Sequence, residues 1–137
     1  MNIPEVGIKI EIQPPWRREE DVPSNSAGFR SMSEDAYFHI YDETNTDYGN
    51  LPVNLIISSE ESRILNKYPN SNCEKRYRSM ICNISKQSDT QLEDWKEMYT
   101  AIRIEDKTLL IIYHASSEIY DKYEDQIEQM IASIDLL

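Results

Sequence analysis

Metal and nucleophile chemistry has few side chains to draw on here: 137 residues contain two histidines, two cysteines and three glycines. His39 sits within Tyr37-Phe38-His39-Ile40-Tyr41 and His114 within Ile112-Tyr113-His114-Ala115, each among bulky strand formers and without a companion ligand in sequence. A zinc site needs clustered His or Cys in tetrahedral reach, so both histidines read as structural. Cys73 and Cys82 lack metal-ligand spacing and read as free thiols of a reducing compartment, a disulfide between them being the alternative. No Gly-x-Ser-x-Gly brackets a nucleophile, because Gly7, Gly28 and Gly49 stand alone. So few glycines also leave no loop whose successive amides could wrap a phosphate. The expectation is a protein without catalytic residues, metal or cofactor.

The carboxylate pairs Glu19-Glu20, Glu34-Asp35 and Glu60-Glu61 are chain neighbours, which point to opposite faces of an extended strand and make no acid/base dyad. Asp42, Asn45, Asp47 and Gly49 have the residue types of a calcium loop, but the oxygen spacing is off and the bidentate Glu is missing. Nine tyrosines could anchor a protein interface, since Tyr offers broad area and a hydroxyl at small entropic cost. Most are accounted for as core or sheet residues. Tyr48 differs, lying in a polar segment with Asp42, Glu43 and Asp47 where a large ring has less reason to be buried.

Any such surface must be held by a scaffold. Val6 to Gln13 alternates apolar and polar residues, the period of a half-buried strand, and Pro14-Pro15 stops it. Arg17 to Asn25 reads as a charged loop, Phe29 to Met32 as a short strand and Ala36 to Asp42 as a strand ahead of turn residues. Val53-Asn54-Leu55-Ile56-Ile57 predicts a buried strand, with Ser58-Ser59-Glu60-Glu61 opening a short helix through about Tyr68. Tyr77 to Ile84 predicts a strand in which Met80 and Cys82 alternate against Ile81, and Ser85 to Thr90 a turn. Trp95 to Glu105 and Thr108 to Ala115 predict an antiparallel hairpin about the Glu105-Asp106-Lys107 connection. From Ser117 the period becomes helical: Tyr120, Tyr123, Ile127, Met130, Ile131 and Ile134 share one face, with Ser116 or Ser117 as N-cap. Asp121, Glu124, Asp125 and Glu128 form an acidic stripe on the other.

The length fits one domain over residues 1–137. The net charge of −11 is uneven: residues 1–50 carry ten acids against four bases, 51–100 seven against seven, and 101–137 eight against three. That field repels nucleic acid and anionic membrane and steers a basic protein inward. Neither a leader nor a bilayer-spanning run is present, the longest strictly apolar stretch being Leu109 to Tyr113, so a cytoplasmic location is expected.

Three features together carry a resemblance: a first strand ending in Pro14-Pro15-Trp16, the Val53 to Ile57 run followed by a helix, and a final strand pair leading to a helix that ends Ala132-Ser133-Ile134. From about Gly7 to the C-terminus the chain resembles a Mog1/PsbP-type domain. The resemblance implies an α+β fold, an antiparallel sheet flanked by helices on both faces, in a family that binds proteins or assists assembly. In the bacterial branch that chaperones secreted effectors a Tyr-Arg-Phe-Asn-Glu-Gly-like opening is usual, and Met1 to Ile10 lacks it. Small acidic domains of this kind are similar in character to immunity proteins, which plug the active site of a cognate bacterial toxin. The expected partner is therefore a basic toxin or effector domain, with a chaperone or adaptor role and then an enzyme without recognisable motif as alternatives. The expected binding residues lie in the acidic connections: Glu19, Glu20, Asp21, Glu34, Asp35, Asp42, Glu43, Asp47 and Tyr48. Charge would set the association rate and aromatic anchors the lifetime.

Overall fold

The structure is a computed structural model that describes residues 1–87 and 92–137, with the side chains of residues 86–93 left aside. The order of elements is β1 (Asn2–Ile3), β2 (Ile8–Lys9), β3 (Trp16–Glu19), β4 (Ser26–Ser31), β5 (Ala36–Asp42), a 3₁₀ turn (Asp47–Asn50), α1 (Val53–Lys67), β6 (Asn72–Lys75), β7 (Ser79–Gln87), β8 (Leu92–Ile104), β9 (Lys107–Ser116), α2 (Ser117–Ala132) and β10 (Asp135–Leu136). Seven strands form one antiparallel sheet in the order β3-β4-β5-β9-β8-β7-β6, and β1, β2 and β10 form a small second sheet.

Side-chain alternation splits the core between the two faces of the large sheet. On one face Phe29, Phe38, Ile40, Leu109, Ile111, Tyr113 and Ala115 meet Tyr120, Tyr123, Ile127 and Met130 of α2. On the other Met80, Cys82, Ile84, Tyr99, Ala101 and Leu110 meet Ile56, Ile57 and Ile64 of α1. The α+β sheet with a helix on each face is the architecture expected. The β8–β9 hairpin is also as read: Ile104 pairs Lys107, and Glu105 takes φ 52, the positive φ that primed two-residue turns require first. The terminal helix begins after Ser116 and buries Tyr120, Tyr123, Ile127 and Met130 as expected, while Ile131 is half-buried and Ile134 lies beyond its end at Ala132.

Five readings change. Val53 to Ile57 is the first part of α1 and not a strand: Asn54 and Leu55 are exposed, and the buried set Ile56, Ile57, Glu60 and Ile64 follows helical spacing. A short apolar run does not by its period separate a buried strand from a helix, and here Pro52 stands at the N-cap. Val6 to Gln13 yields only the two-residue β2, because the chain turns through Gly7 at φ 73. Arg17 to Glu19 of the expected loop belong to β3, paired with β4 from Trp16 opposite Ser31 to Glu19 opposite Gly28. Cys73 and Cys82 are not free thiols: they are register partners on β6 and β7 and form a disulfide. Ser85 to Gln87 continue β7, and the rest of the turn expected through Thr90 lies outside the described residues.

Candidate functional site

The two helices do not cover the sheet equally. α1 packs on β7 and β8, so on its face the β3, β4 and β5 side of the sheet carries no helix among the described residues. Tyr41 and Ile112 pack along the margin of the α1 core. Beyond them lie Tyr37, His39, His114 and Trp95, each partly exposed. Their rings form a continuous patch: Tyr37 stands edge-on to His114 at 5.1 Å, His39 lies 6.2 Å and Trp95 5.9 Å from His114, and His39 stacks near Tyr41 at 6.0 Å.

Carboxylates border this patch on both sides. Glu19 Oε2 lies 3.6 Å from His39 Nε2, and the buried Glu97 places Oε1 3.9 Å from His114 Nδ1 while accepting the Tyr99 hydroxyl. Both separations lie within ion-pair distance but beyond hydrogen-bond length. The β3–β4 loop folds toward the patch at Val22. A Cβ at residue 28 would stand 2.9 Å from both Val22 Cγ1 and His39 Cδ2, so Gly28 is what lets loop and imidazole share that space. Among the described residues no group of three or more His, Cys, Asp or Glu is placed to hold a metal.

The residues expected to bind a partner fall into two groups. Glu20 and Asp21 in the β3–β4 loop, Asp42 at the end of β5, Glu43 just after it, and Asp47 gather at one end of the sheet, where Asp42 N–H donates to Asn25 O at 2.9 Å. The β8–β9 turn brings Glu105 and Asp106 to the same end, since Glu43 N–H donates to Thr108 O at 2.9 Å. Sequence reasoning passed over those two as turn residues. Glu34 and Asp35 sit in the β4–β5 turn at the opposite end, the seven residues of β5 or about 20 Å away. There Lys122 and then Tyr123 donate to Glu34 and hold its carboxyl below the usual range.

Asp42 is already engaged. Burial would raise its pKa, but hydrogen bonds from Lys107 (2.8 Å) and Thr44 outweigh burial and hold the carboxyl below its ordinary value. A depressed carboxylate contributes stability that is full above its unfolded value and is lost as pH falls through the folded one. Lys107→Met is therefore expected to flatten the loss of stability between about pH 5 and about pH 2, as read by urea unfolding at each pH. An unchanged slope would remove Asp42 as a source of acid sensitivity.

Tyr48 is not the projecting ring its polar setting suggests. It packs against the α1 core and donates to Glu60 Oε2 at 2.8 Å, with Ser59 Oγ 3.1 Å away. Burial and then the neighbouring carboxylate raise its pKa. Glu60 itself is 4% exposed and accepts from Arg63 Nε at 3.1 Å. The sequence signal for this buried carboxylate is its place on the stripe Ile56, Ile57, Glu60, Ile64, which becomes visible only once residues 53–67 are read as one helix.

No family model matches the chain, and no curated protein matches it by sequence. Solved structures do. The Ran-binding protein Mog1p of Saccharomyces cerevisiae superposes with a TM-score of 0.60 at 9% identity, covering 95% of this chain and 90% of that one. Cyanobacterial PsbP from Synechocystis sp. PCC 6803 gives 0.55 at 8% identity over 100% and 91%. A Pseudomonas aeruginosa protein of unknown function, described as a putative regulator, gives 0.52 at 10% identity over 90% and 93%. At such identities the likeness is one of fold, and the chain has the Mog1/PsbP-like fold.

Proposed function

We propose that this chain is an acidic protein-binding module, and specifically an immunity protein that neutralises a cognate bacterial toxin by covering its active site. The observation that carries the reading is the half-face of the sheet left without a helix, an aromatic and imidazole patch bordered by Glu19, Glu20 and Asp21. Large rings on a flat, pre-shaped surface supply contact area, and exposed carboxylates beside them favour a partner of positive charge. The net charge of −11 and the cluster of exposed acids at the adjoining end of the sheet support the same choice. The fold is compatible with such a role, one of its bearers being a Ran-binding protein.

The test is capture from the native cell at low salt. The expected result is one folded basic protein, bound in a fixed ratio and released at high salt. Glu20→Lys with Asp21→Lys is then expected to slow association about ten-fold while changing dissociation little, because rim charges act on encounter. Capture of unfolded or apolar segments regardless of salt would replace this reading with a chaperone or adaptor role.

A further inference from the structure

Arg17 and Arg30 are register partners on β3 and β4 and both are exposed, so two cations face each other across the strand pair. Like charges at that separation, about 5 Å between Cβ atoms, destabilise a sheet. Six other basic side chains among the described residues are matched internally: Arg18 with Glu5, Arg63 with Glu60, Lys75 with Glu61, Lys96 with Asp121, Lys107 with Asp42 and Lys122 with Glu34. Arg17 and Arg30 have no carboxylate within ion-pair distance among the described residues. Arg30 is also oriented, its guanidinium lying 5.7 Å over the Tyr37 ring at the border of the aromatic patch.

The two arginines line a cleft of about 470 Å³ together with Met32, which is 55% exposed. The rest of the lining is Arg18, whose guanidinium is paired with Glu5 at 2.7 Å, and the three acids Glu19, Glu20 and Asp21. Arg17 and Glu19 point to the same face of β3 two residues apart, which sets their side chains about 7 Å from one another. One end of the cleft thus attracts an anion and the other a cation at a fixed spacing.

We propose that this cleft sets the register of the partner interface by taking a protein segment that carries a carboxylate and a cationic side chain about 7 Å apart, the carboxylate on Arg17 and Arg30 and the cation on Glu19 to Asp21. The inference rests on the reading of the chain as a protein-binding module and adds a specificity element to it. A uniformly basic partner surface would be steered by the acids but repelled at the arginines. Only one with an acidic residue at the matching place satisfies both ends.

The experiment is an amide and Met32 methyl NMR titration of the intact chain at low salt with three capped peptides: Gly-Glu-Gly-Arg-Gly, Gly-Arg-Gly-Arg-Gly and Gly-Glu-Gly-Glu-Gly. The mixed peptide is expected to give saturable shifts at residues 17, 19, 30 and 32 and to bind at least about three-fold more tightly than either of the others. Arg17→Gln with Arg30→Gln is expected to weaken the mixed peptide about five-fold, and Arg17→Glu with Arg30→Glu to reverse the preference toward the all-arginine peptide. Tightest binding of the all-arginine peptide to the unaltered chain, shifts that ignore the substitutions, or no saturable shift at these residues would overturn the proposal. The function itself stands on a different readout: a captured partner whose affinity is indifferent to Arg17→Gln and Arg30→Gln removes the register element and leaves the binding module, whereas failure to capture any folded basic partner removes the module.

Discussion

Tyr113→Ala is expected to lower the unfolding free energy by about 4 kcal/mol, measured by urea unfolding, because a large aromatic leaves a cavity that its neighbours fill only in part. Tyr113 has no solvent exposure, stacks on Tyr120 at 4.8 Å, stands edge-on to Trp16 at 6.3 Å and donates its hydroxyl to Tyr120 O at 2.8 Å. It lies where β9 meets the first turn of α2, so its ring joins the sheet to the helix that covers one face. Tyr113→Phe keeps the ring and removes one hydrogen bond, for an expected loss of about 1 kcal/mol. Equal losses in the two variants would mean that the hydroxyl, and not the packing, holds this junction.

Reducing the Cys73–Cys82 disulfide is expected to cost about 2.5 kcal/mol, since a cross-link closing a loop with a sequence separation of 9 restricts the unfolded chain by about that amount. Part of the loss belongs to the folded state. Cys82 is fully buried in the α1 core and Cys73 ties it to β6, the terminal strand of the sheet, whose residues are mostly exposed. The measurement is the urea midpoint with and without dithiothreitol, paired with a count of reactive thiols before and after. Two thiols titrating in the untreated protein, with no shift in midpoint, would restore the free-thiol reading. The reduced arm also gives the stability the chain would have in a cytoplasm, where disulfides are rare.

How far each of these features was legible follows from the range of the interaction behind it. The β8–β9 hairpin and α2 were readable because their signals are local: contiguous strand formers about a tight connection, and Tyr120, Tyr123, Ile127 and Met130 at helical spacing after a serine N-cap. The start of α1 was not, because Val53 to Ile57 is too short a run to show a period, and only the stripe continued through Glu60 and Ile64 marks a helix. Once that helix begins at Val53, Glu60 moves from a first turn to a buried position, and Tyr48 is drawn in to hydrogen-bond with it.

Composition and local pattern by themselves determined the acidity of the chain, the absence of recognisable catalytic or metal motifs, the β8–β9 hairpin and the amphipathic closing helix, and the resemblance to a Mog1/PsbP-type domain implied the α+β class. Pairing across long stretches of sequence decided the rest. It set Cys73 opposite Cys82 and Arg17 opposite Arg30, and it gathered Glu20, Asp21, Asp42, Glu43 and Asp47 at one end of the sheet while leaving Glu34 and Asp35 at the other. The physical reason is that strand register and helix placement are chosen by burial summed over the whole sheet, so which charges become neighbours depends on residues far from them in the chain.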